Sequence, residues 1–122
     1  MKSESDVKRG MVDVIRGAGG YARRFEDKFL VGFPDIGFKL PDYEFTFCEV
    51  KLVRGRYFAP SPRQLIELKA LDLDGVWSIV VGYEHEHKLW YISPPVDKVD
   101  TQACFCSGGS FPTAFKEYVE CQ

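Results

Sequence analysis

The chain has 122 residues, of which 45% are hydrophobic, 28% charged and 15% aromatic. This length suits one compact domain, and the composition excludes a disordered or fibrous chain. Sixteen basic against eighteen acidic residues give a net charge of −2, which argues against binding nucleic acid through bulk positive charge. No apolar run approaches the roughly 20 residues of a membrane span, and the N-terminus lacks a signal peptide's apolar segment, so we expect a cytoplasmic protein with no membrane contact.

The first half of the chain predicts one helix and three strands. Apolar residues at positions 7, 11, 14, 15 and 18 have helical spacing, which predicts a helix over residues 3–16, and glycines at 17, 19 and 20 end it. Residues 21–25 form a short predicted strand. Two further strand-like runs, residues 36–40 and 43–53, are joined at Pro41-Asp42 and predict an antiparallel meander.

The second half predicts a helix and a strand pair. Ser61, Pro62 and Gln64 have the pattern of an N-cap, a first helical position and a capping-box partner, and Gly75 closes this helix. Residues 76–83 and 87–92 form the strand pair, and residues 114–119 could form a short helix. We therefore expect a single α/β domain over residues 1–122, with a central mixed β-sheet flanked by helices, a core of about residues 3–92 and a C-terminal extension of uncertain structure over 93–122.

Two charged residues occupy an unusual place in the longest strand. Side chains alternate along residues 43–53, so Glu49 and Lys51 share a face with the aromatic residues at 43, 45 and 47. Burying an ionised group costs several kcal/mol unless it is paired or binds a metal. A structural Glu49–Lys51 ion pair is one explanation of this pattern.

Asp35 suggests a second explanation. It directly follows Pro34 at the start of the preceding strand, which would place its carboxylate near Glu49 if the two strands pair as a meander. Two converging carboxylates suit Mg²⁺ with bound water and substrate phosphate. With the Lys51 ammonium beside the metal, the implied chemistry is phosphodiester hydrolysis.

The motif Pro34-Asp35, thirteen intervening residues, then Glu49-Val50-Lys51 resembles the PD-(D/E)XK nuclease superfamily. The N-terminal helix with its glutamate, the Gly-Phe-Pro-Asp segment and the Ser-Pro-x-Gln helix before an apolar strand resemble its VRR-NUC and phage-type Holliday-junction-resolvase branches. The match covers roughly residues 4–92. It implies a restriction-endonuclease-like core and an endonuclease that uses Mg²⁺, or Mn²⁺ in its place, on DNA, including branched or Holliday-junction DNA. Cutting two strands symmetrically would favour a homodimer.

The resemblance also implies roles for individual residues. Asp35 and Glu49 would bind metal, the Val50 backbone carbonyl would add a ligand, and Lys51 would assist the nucleophile. Glu4 is the acidic candidate on the first helix, where positions 4, 7, 11, 15 and 18 share one face. Gln64 matches a glutamine of the family's second helix, and its capping role is an equally good interpretation.

Basic residues near the motif are candidates for contacts with nucleic acid. Arg54 and Arg56 directly follow the catalytic strand and could track the phosphate backbone, while Tyr57 could stack on a base or sugar. An ordinary solvated loop is the alternative. The basic residues of the first helix, at positions 8, 9 and 16, are interpreted as a solvated face.

Two other functions remain open. A non-catalytic nucleic-acid-binding or assembly module could keep the same fold with a structural Glu49–Lys51 pair. His85 and His87, together with Cys104 and Cys106, could instead bind structural zinc, although their spacing is not a strong zinc signature. Without a secretory signal, the four cysteines are expected to be reduced thiols. Trp77 and Trp90 are expected in the core.

Overall fold

The structure is a computed structural model that describes residues 3–25 and 32–122, with residues 105–107 described by their backbone alone. Its elements are the helices α1 (Glu4–Gly17), α2 (Pro62–Leu73) and α3 (Phe111–Glu120) and the strands β1 (Tyr21–Arg24), β2 (Ile36–Lys39), β3 (Thr46–Leu52), β4 (Tyr57–Phe58), β5 (Trp77–Glu84), β6 (Leu89–Ser93), β7 (Val99–Asp100) and β8 (Phe105–Gly108). None of the helices in these described ranges has the length and apolar character that a membrane span requires.

The six-stranded central sheet is mixed, as the sequence predicted. Its strand order is β1-β2-β3-β5-β6-β8, and a separate pair joins β4 to β7. The β1-β2-β3 part is the expected antiparallel meander. Strands β3 and β5 run parallel, which requires a crossover connection, and α2 lies in that connection. Strand β3 starts at Thr46 rather than at residue 43, because the chain first turns with Asp42 at φ 70° and the Tyr43 amide donates to the Leu40 carbonyl at 3.1 Å.

Two apolar cores lie on opposite faces of the sheet. Cys48, Val50 and Val81 belong to the larger core, which α1 and α3 cover. Val53 and Val80 point the other way and form the smaller core with Leu68 of α2 and residues of β4 and β7. Because side chains alternate along a strand, the even positions of β3 face the larger core and the odd positions face the α2 side.

Helix α1 begins and ends where the sequence predicted, but its buried stripe is shifted. Ser3 and Asp6 form a capping box at its start. Val14, expected in the stripe, is 42% exposed, while Val12 is buried. At 100° per residue, positions 4, 8, 11 and 15 lie at the centre of the stripe and position 14 lies at its margin. The face that packs on the sheet therefore includes Lys8.

The segment after Pro94 is part of the fold. It forms β7, β8 and a ten-residue α3, and Phe111 and Phe115 of α3 are both 1% exposed in the larger core. Their rings meet Phe38 of β2 edge-on, at centroid distances of 5.4 and 5.1 Å. The Trp90 indole donates to the Gly109 carbonyl at 3.0 Å, which holds the start of α3 against β6. The sequence did not predict this packing because paired glycines interrupt its pattern.

Replacing Phe115 with alanine tests the contribution of α3. The change empties a fully buried site, so we expect the free energy of unfolding to fall by roughly 3–5 kcal/mol. Lys116→Ala, on the exposed side of the same helix, should change it by less than about 0.5 kcal/mol. Urea denaturation followed by circular dichroism measures both. A Phe115→Ala protein as stable as the wild type would show that α3 does not support the core.

Candidate active site

Asp35 lies opposite the middle of β3, just before β2 begins. The antiparallel register pairs Ile36 with Cys48, so residue 35 comes next to Glu49 and Val50. The Val50 amide donates to Asp35 Oδ2 at 3.0 Å. The Phe25 amide donates to the Asp35 carbonyl at 2.9 Å and fixes the backbone there. The structure therefore brings Asp35 to β3, as the meander predicted.

Glu49 is a buried carboxylate without a hydrogen-bond donor. It lies on the α2 side of β3, is 1% exposed, and neither of its oxygens accepts a hydrogen bond within the described part of the chain. The Lys51 ammonium is 3.6 Å from Oε2, an ion-pair distance rather than a hydrogen bond. Burial above all, and then the negative charge of the neighbouring Asp35, raise the pKa of Glu49 to about 8, although Lys51 and Lys8 act to lower it.

Lys8 belongs to this site, contrary to its interpretation as part of a solvated face. Its ammonium lies 3.1 Å from Asp35 Oδ1, and the two side chains are only 19% and 17% exposed. The interpretation holds for Arg9, which pairs with the exposed Asp6 at 2.7 Å. Arg16, by contrast, donates to the Ala22 carbonyl at 2.9 Å and so ties α1 to β1.

Sequence spacing could have identified Lys8. Positions 4, 8, 11 and 15 follow the i, i+4, i+7, i+11 pattern of one helical face, and Met11 and Ile15 are fully buried there. The predicted buried face included positions 7, 14 and 18, and Lys8 lies outside that face. A lysine at the centre of an apolar stripe requires a partner, in the same way as Glu49 and Lys51 do.

The donor set at this site fits a divalent cation with oxygen ligands. Asp35 and Glu49 offer carboxylate oxygens, and those of Glu49 are buried with no donor in the described part of the chain. The N–H and C=O of one strand residue point to the same side, so the Val50 carbonyl lies on the β3 edge that faces Asp35. Mg²⁺ prefers such hard oxygen ligands and is commonly held by one or two carboxylates plus water.

Glu4 and Gln64 lie at the margins of this site. Glu4 is half-buried and precedes Lys8 by one turn on the same face of α1. Gln64 completes the predicted capping box, where its Oε1 accepts from the Ser61 amide at 2.8 Å. The first turn of α2 packs on the loop that leads to Asp35, since a Cβ on Gly32 would lie 3.0 Å from the Arg63 carbonyl oxygen. The side-chain oxygen of Gln64 is thus engaged in capping.

The residues expected to contact nucleic acid differ in their surroundings. Arg56 makes a bidentate pair with Asp100, with both N–O distances at 3.0 Å, and so links the β4–β7 pair. The ammonium of Lys98 lies 4.1 Å from the centroid of the Tyr57 ring. Arg54 is exposed and lines an open cavity of about 720 Å³ at the ends of β3 and β5. The sequence did not predict these contacts of Arg56 and Tyr57, because their partners lie more than 40 residues further along the chain.

A second group of potential ligands lies at the β5–β6 turn. Ligand atoms of Glu84, Glu86 and His87 fall within 4.8 Å of one another, and His87 Nδ1 is 2.9 Å from Glu84 Oε2. Among the side chains that the structure describes, no group joins a histidine to a cysteine, and Cys104 packs against the smaller core. The proposed zinc set therefore does not form with Cys104, and the side chain of Cys106 lies outside the described part.

Comparison with solved structures identifies the architecture. The chain superposes on Hjc, a Holliday junction resolvase from Archaeoglobus fulgidus, with a TM-score of 0.65 and 16% sequence identity, over 92% of this chain and 98% of that one. The fold is restriction-endonuclease-like. No protein-family model matches the chain, and no curated protein sequence matches it.

The restriction-endonuclease-like fold extends beyond the sequence resemblance. A match over 92% of the chain exceeds the region of residues 4–92 on which that resemblance was based. Elements after Pro94 are therefore included in the superposition. At 16% identity the likeness establishes the fold alone, so the chemistry has to be argued from the site.

Replacing Glu49 with glutamine should stabilise the metal-free protein at high pH. Because the pKa of Glu49 is about 8 in the folded chain and near 4.5 when unfolded, wild-type stability should fall as the pH rises between these values. The neutral amide removes this penalty, so above pH 8 the variant should be more stable by up to roughly 5 kcal/mol, with the gain vanishing at low pH. Denaturation in EDTA across this pH range measures it, and a pH-independent difference would contradict the assigned cause.

Proposed function

We propose that this chain is a metal-dependent endonuclease of the PD-(D/E)XK type that hydrolyses phosphodiester bonds in DNA. Asp35, Glu49 and the Val50 carbonyl would hold Mg²⁺, with Mn²⁺ as a substitute. The observation that carries the proposal is the Glu49 carboxylate, which is buried beside a second carboxylate and has no hydrogen-bond donor among the residues that the structure describes. Such an arrangement is costly for a purely structural purpose and is favourable around a cation.

The distances at the site argue against a purely structural ion pair. A buried pair offsets its desolvation only with good geometry and with hydrogen bonds to the remaining lone pairs. Lys51 stands 3.6 Å from Glu49 Oε2, and Oε1 accepts no hydrogen bond within residues 3–25 and 32–122. A bound divalent cation would neutralise both carboxylates and lower the pKa of a coordinated water.

The protein's own side chains would perform the remaining tasks. Lys51 lies beside Glu49, where its ammonium can orient the attacking water and stabilise charge that develops on the phosphate. Glu4 would bind a metal-coordinated water from α1. Gln64 would act on the nucleophile through its side-chain Nε2, because its Oε1 accepts from the Ser61 amide.

Branched DNA is the proposed substrate. Its support is the fold shared with Hjc, which is a Holliday junction resolvase, together with the motif's resemblance to the VRR-NUC and resolvase branches. A homodimer would present two such sites to two strands. Arg54 would follow the phosphate backbone beyond β3, with Arg56 and Tyr57 at the outer side of the same loop.

A cleavage assay tests the proposed reaction. Linear, single-stranded, flapped and four-way-junction DNA are incubated with the protein and Mg²⁺, Mn²⁺ or EDTA. We expect metal-dependent cutting with a preference for the junction. Lys51→Ala should lower the rate by roughly 10²-fold, and Asp35→Asn and Glu49→Gln by at least that amount. Asp13→Asn, an exposed carboxylate of α1, should cut as well as the wild type.

The alternatives predict different results in that assay. Binding of DNA without cutting under any metal would favour a non-catalytic module with the same fold. Cutting that survives both Asp35→Asn and Glu49→Gln would place the active centre elsewhere. Stoichiometric zinc in the purified protein would support a structural zinc site.

Arg54 provides a separate test of the DNA surface. In the Asp35→Asn background with EDTA, Arg54→Ala should weaken junction binding and reduce the salt slope by about 1, because one phosphate contact is lost. Lys69→Ala, an exposed lysine of α2, is the matched control and should leave both unchanged. Fluorescence anisotropy at several salt concentrations measures the effect. Equal binding by the two variants would remove Arg54 from the interface.

A further inference from the structure

We propose that Lys8 is an internal counter-ion that competes with the divalent metal for Asp35 and thereby sets the metal affinity of the site. This inference rests on the proposed function, because it assigns a role to Lys8 at the same metal centre. The observation behind it is the contact of 3.1 Å between the Lys8 ammonium and Asp35 Oδ1, with both side chains largely buried.

The position of Lys8 on Asp35 is specific. Asp35 Oδ2 accepts the Val50 amide at 3.0 Å, and Lys8 pairs with the other oxygen of the same carboxylate. The other lysine of the site, Lys51, lies on β3 and is paired with Glu49. Each carboxylate therefore has its own ammonium, one from α1 and one from β3.

Charge balance explains why the two cations should compete. With both carboxylates ionised, as metal binding requires, the two carboxylates and the two ammonium groups sum to zero charge at the site. Adding a divalent cation beside Asp35 then leaves a net charge of +2 unless a lysine withdraws, and like charges a few ångströms apart in a partly buried site repel strongly. Both lysines have a flexible four-carbon stem and similar exposure, 19% for Lys8 and 23% for Lys51. We assign the withdrawal to Lys8, because the proposed function keeps Lys51 beside the attacking water.

The competition also has a structural benefit. Asp35 lies beside Glu49 with only 17% of its side chain exposed, so its negative charge needs a neighbouring cation in the metal-free chain. Lys8 offsets the charge on Asp35 until metal arrives. It is thus a positioning residue, which acts on the metal through Asp35.

Direct titration of Mn²⁺ into the DNA-free protein tests this inference without using activity. Free Mn²⁺ is followed by electron paramagnetic resonance in the wild type, Lys8→Met, Lys8→Gln, Lys8→Arg and the control Lys69→Met. Removing the competing charge should tighten Mn²⁺ binding roughly ten- to a hundredfold in the Met and Gln variants. Lys8→Arg, which retains the charge, and Lys69→Met, on the exposed face of α2, should bind as the wild type does.

The Gln variant protects the test against misfolding, because its amide can still donate to Asp35 without a charge. Circular dichroism verifies the fold of each variant, and if Lys8→Met does not fold, Lys8→Gln decides. Metal affinity that is unchanged or weaker in every folded uncharged variant would overturn the inference.

Asp35→Asn distinguishes this inference from the proposed function. If it abolishes Mn²⁺ binding but the uncharged Lys8 variants bind no more tightly than the wild type, the metal site stands and the role of Lys8 is wrong. If Asp35→Asn and the uncharged Lys8 variants all bind Mn²⁺ as the wild type does, both proposals are wrong.

Discussion

The hydrogen bond from the Val50 amide to Asp35 Oδ2 is the interaction on which the site depends. It joins the loop before β2 to the middle of β3 across fifteen residues of sequence. Through it, Asp35 comes beside Glu49 on one side and within reach of Lys8 on the other. The bond exists because the antiparallel register stops at Ile36 opposite Cys48, which leaves the Val50 amide without a partner in β2. The end of the β2–β3 pairing thus brings Asp35 together with Glu49 and Lys8.

One face of β3 packs into the larger core, and the other face buries the Glu49 carboxylate. Cys48 and Val50 are fully buried in the larger core, where burial above all, and then the charges of Asp35 and Glu49, raise the pKa of the Cys48 thiol well above its ordinary value. This thiol is therefore a packing group. On the other face Glu49 is buried and accepts no hydrogen bond from the described residues, which costs stability that the apolar face offsets. A trade-off between stability and function predicts such a cost at a candidate site.

The net charge of −2 says little about the surface, because many charges are engaged internally. Arg56 is held by Asp100, and the ammonium of Lys98 lies against the ring of Tyr57. Arg56 and Tyr57, which the sequence suggested as DNA contacts, thus link the β4–β7 pair through these interactions. Arg54 lies at the mouth of the cavity beyond β3.

The sequence by itself determined the parts that depend on local pattern. The extent of α1, the capping residues of α2, the β1-β2-β3 meander and the strand pair followed from spacing and turn residues, and alternation along β3 placed Glu49 and Lys51 on one face. Only the tertiary structure decided the rest, because it depends on contacts between distant segments. Lys8 on Asp35, Arg56 on Asp100 and Phe115 on Phe38 each join residues 27 or more positions apart. The periodicity of one helix or strand carries no information about a partner residue in a distant element.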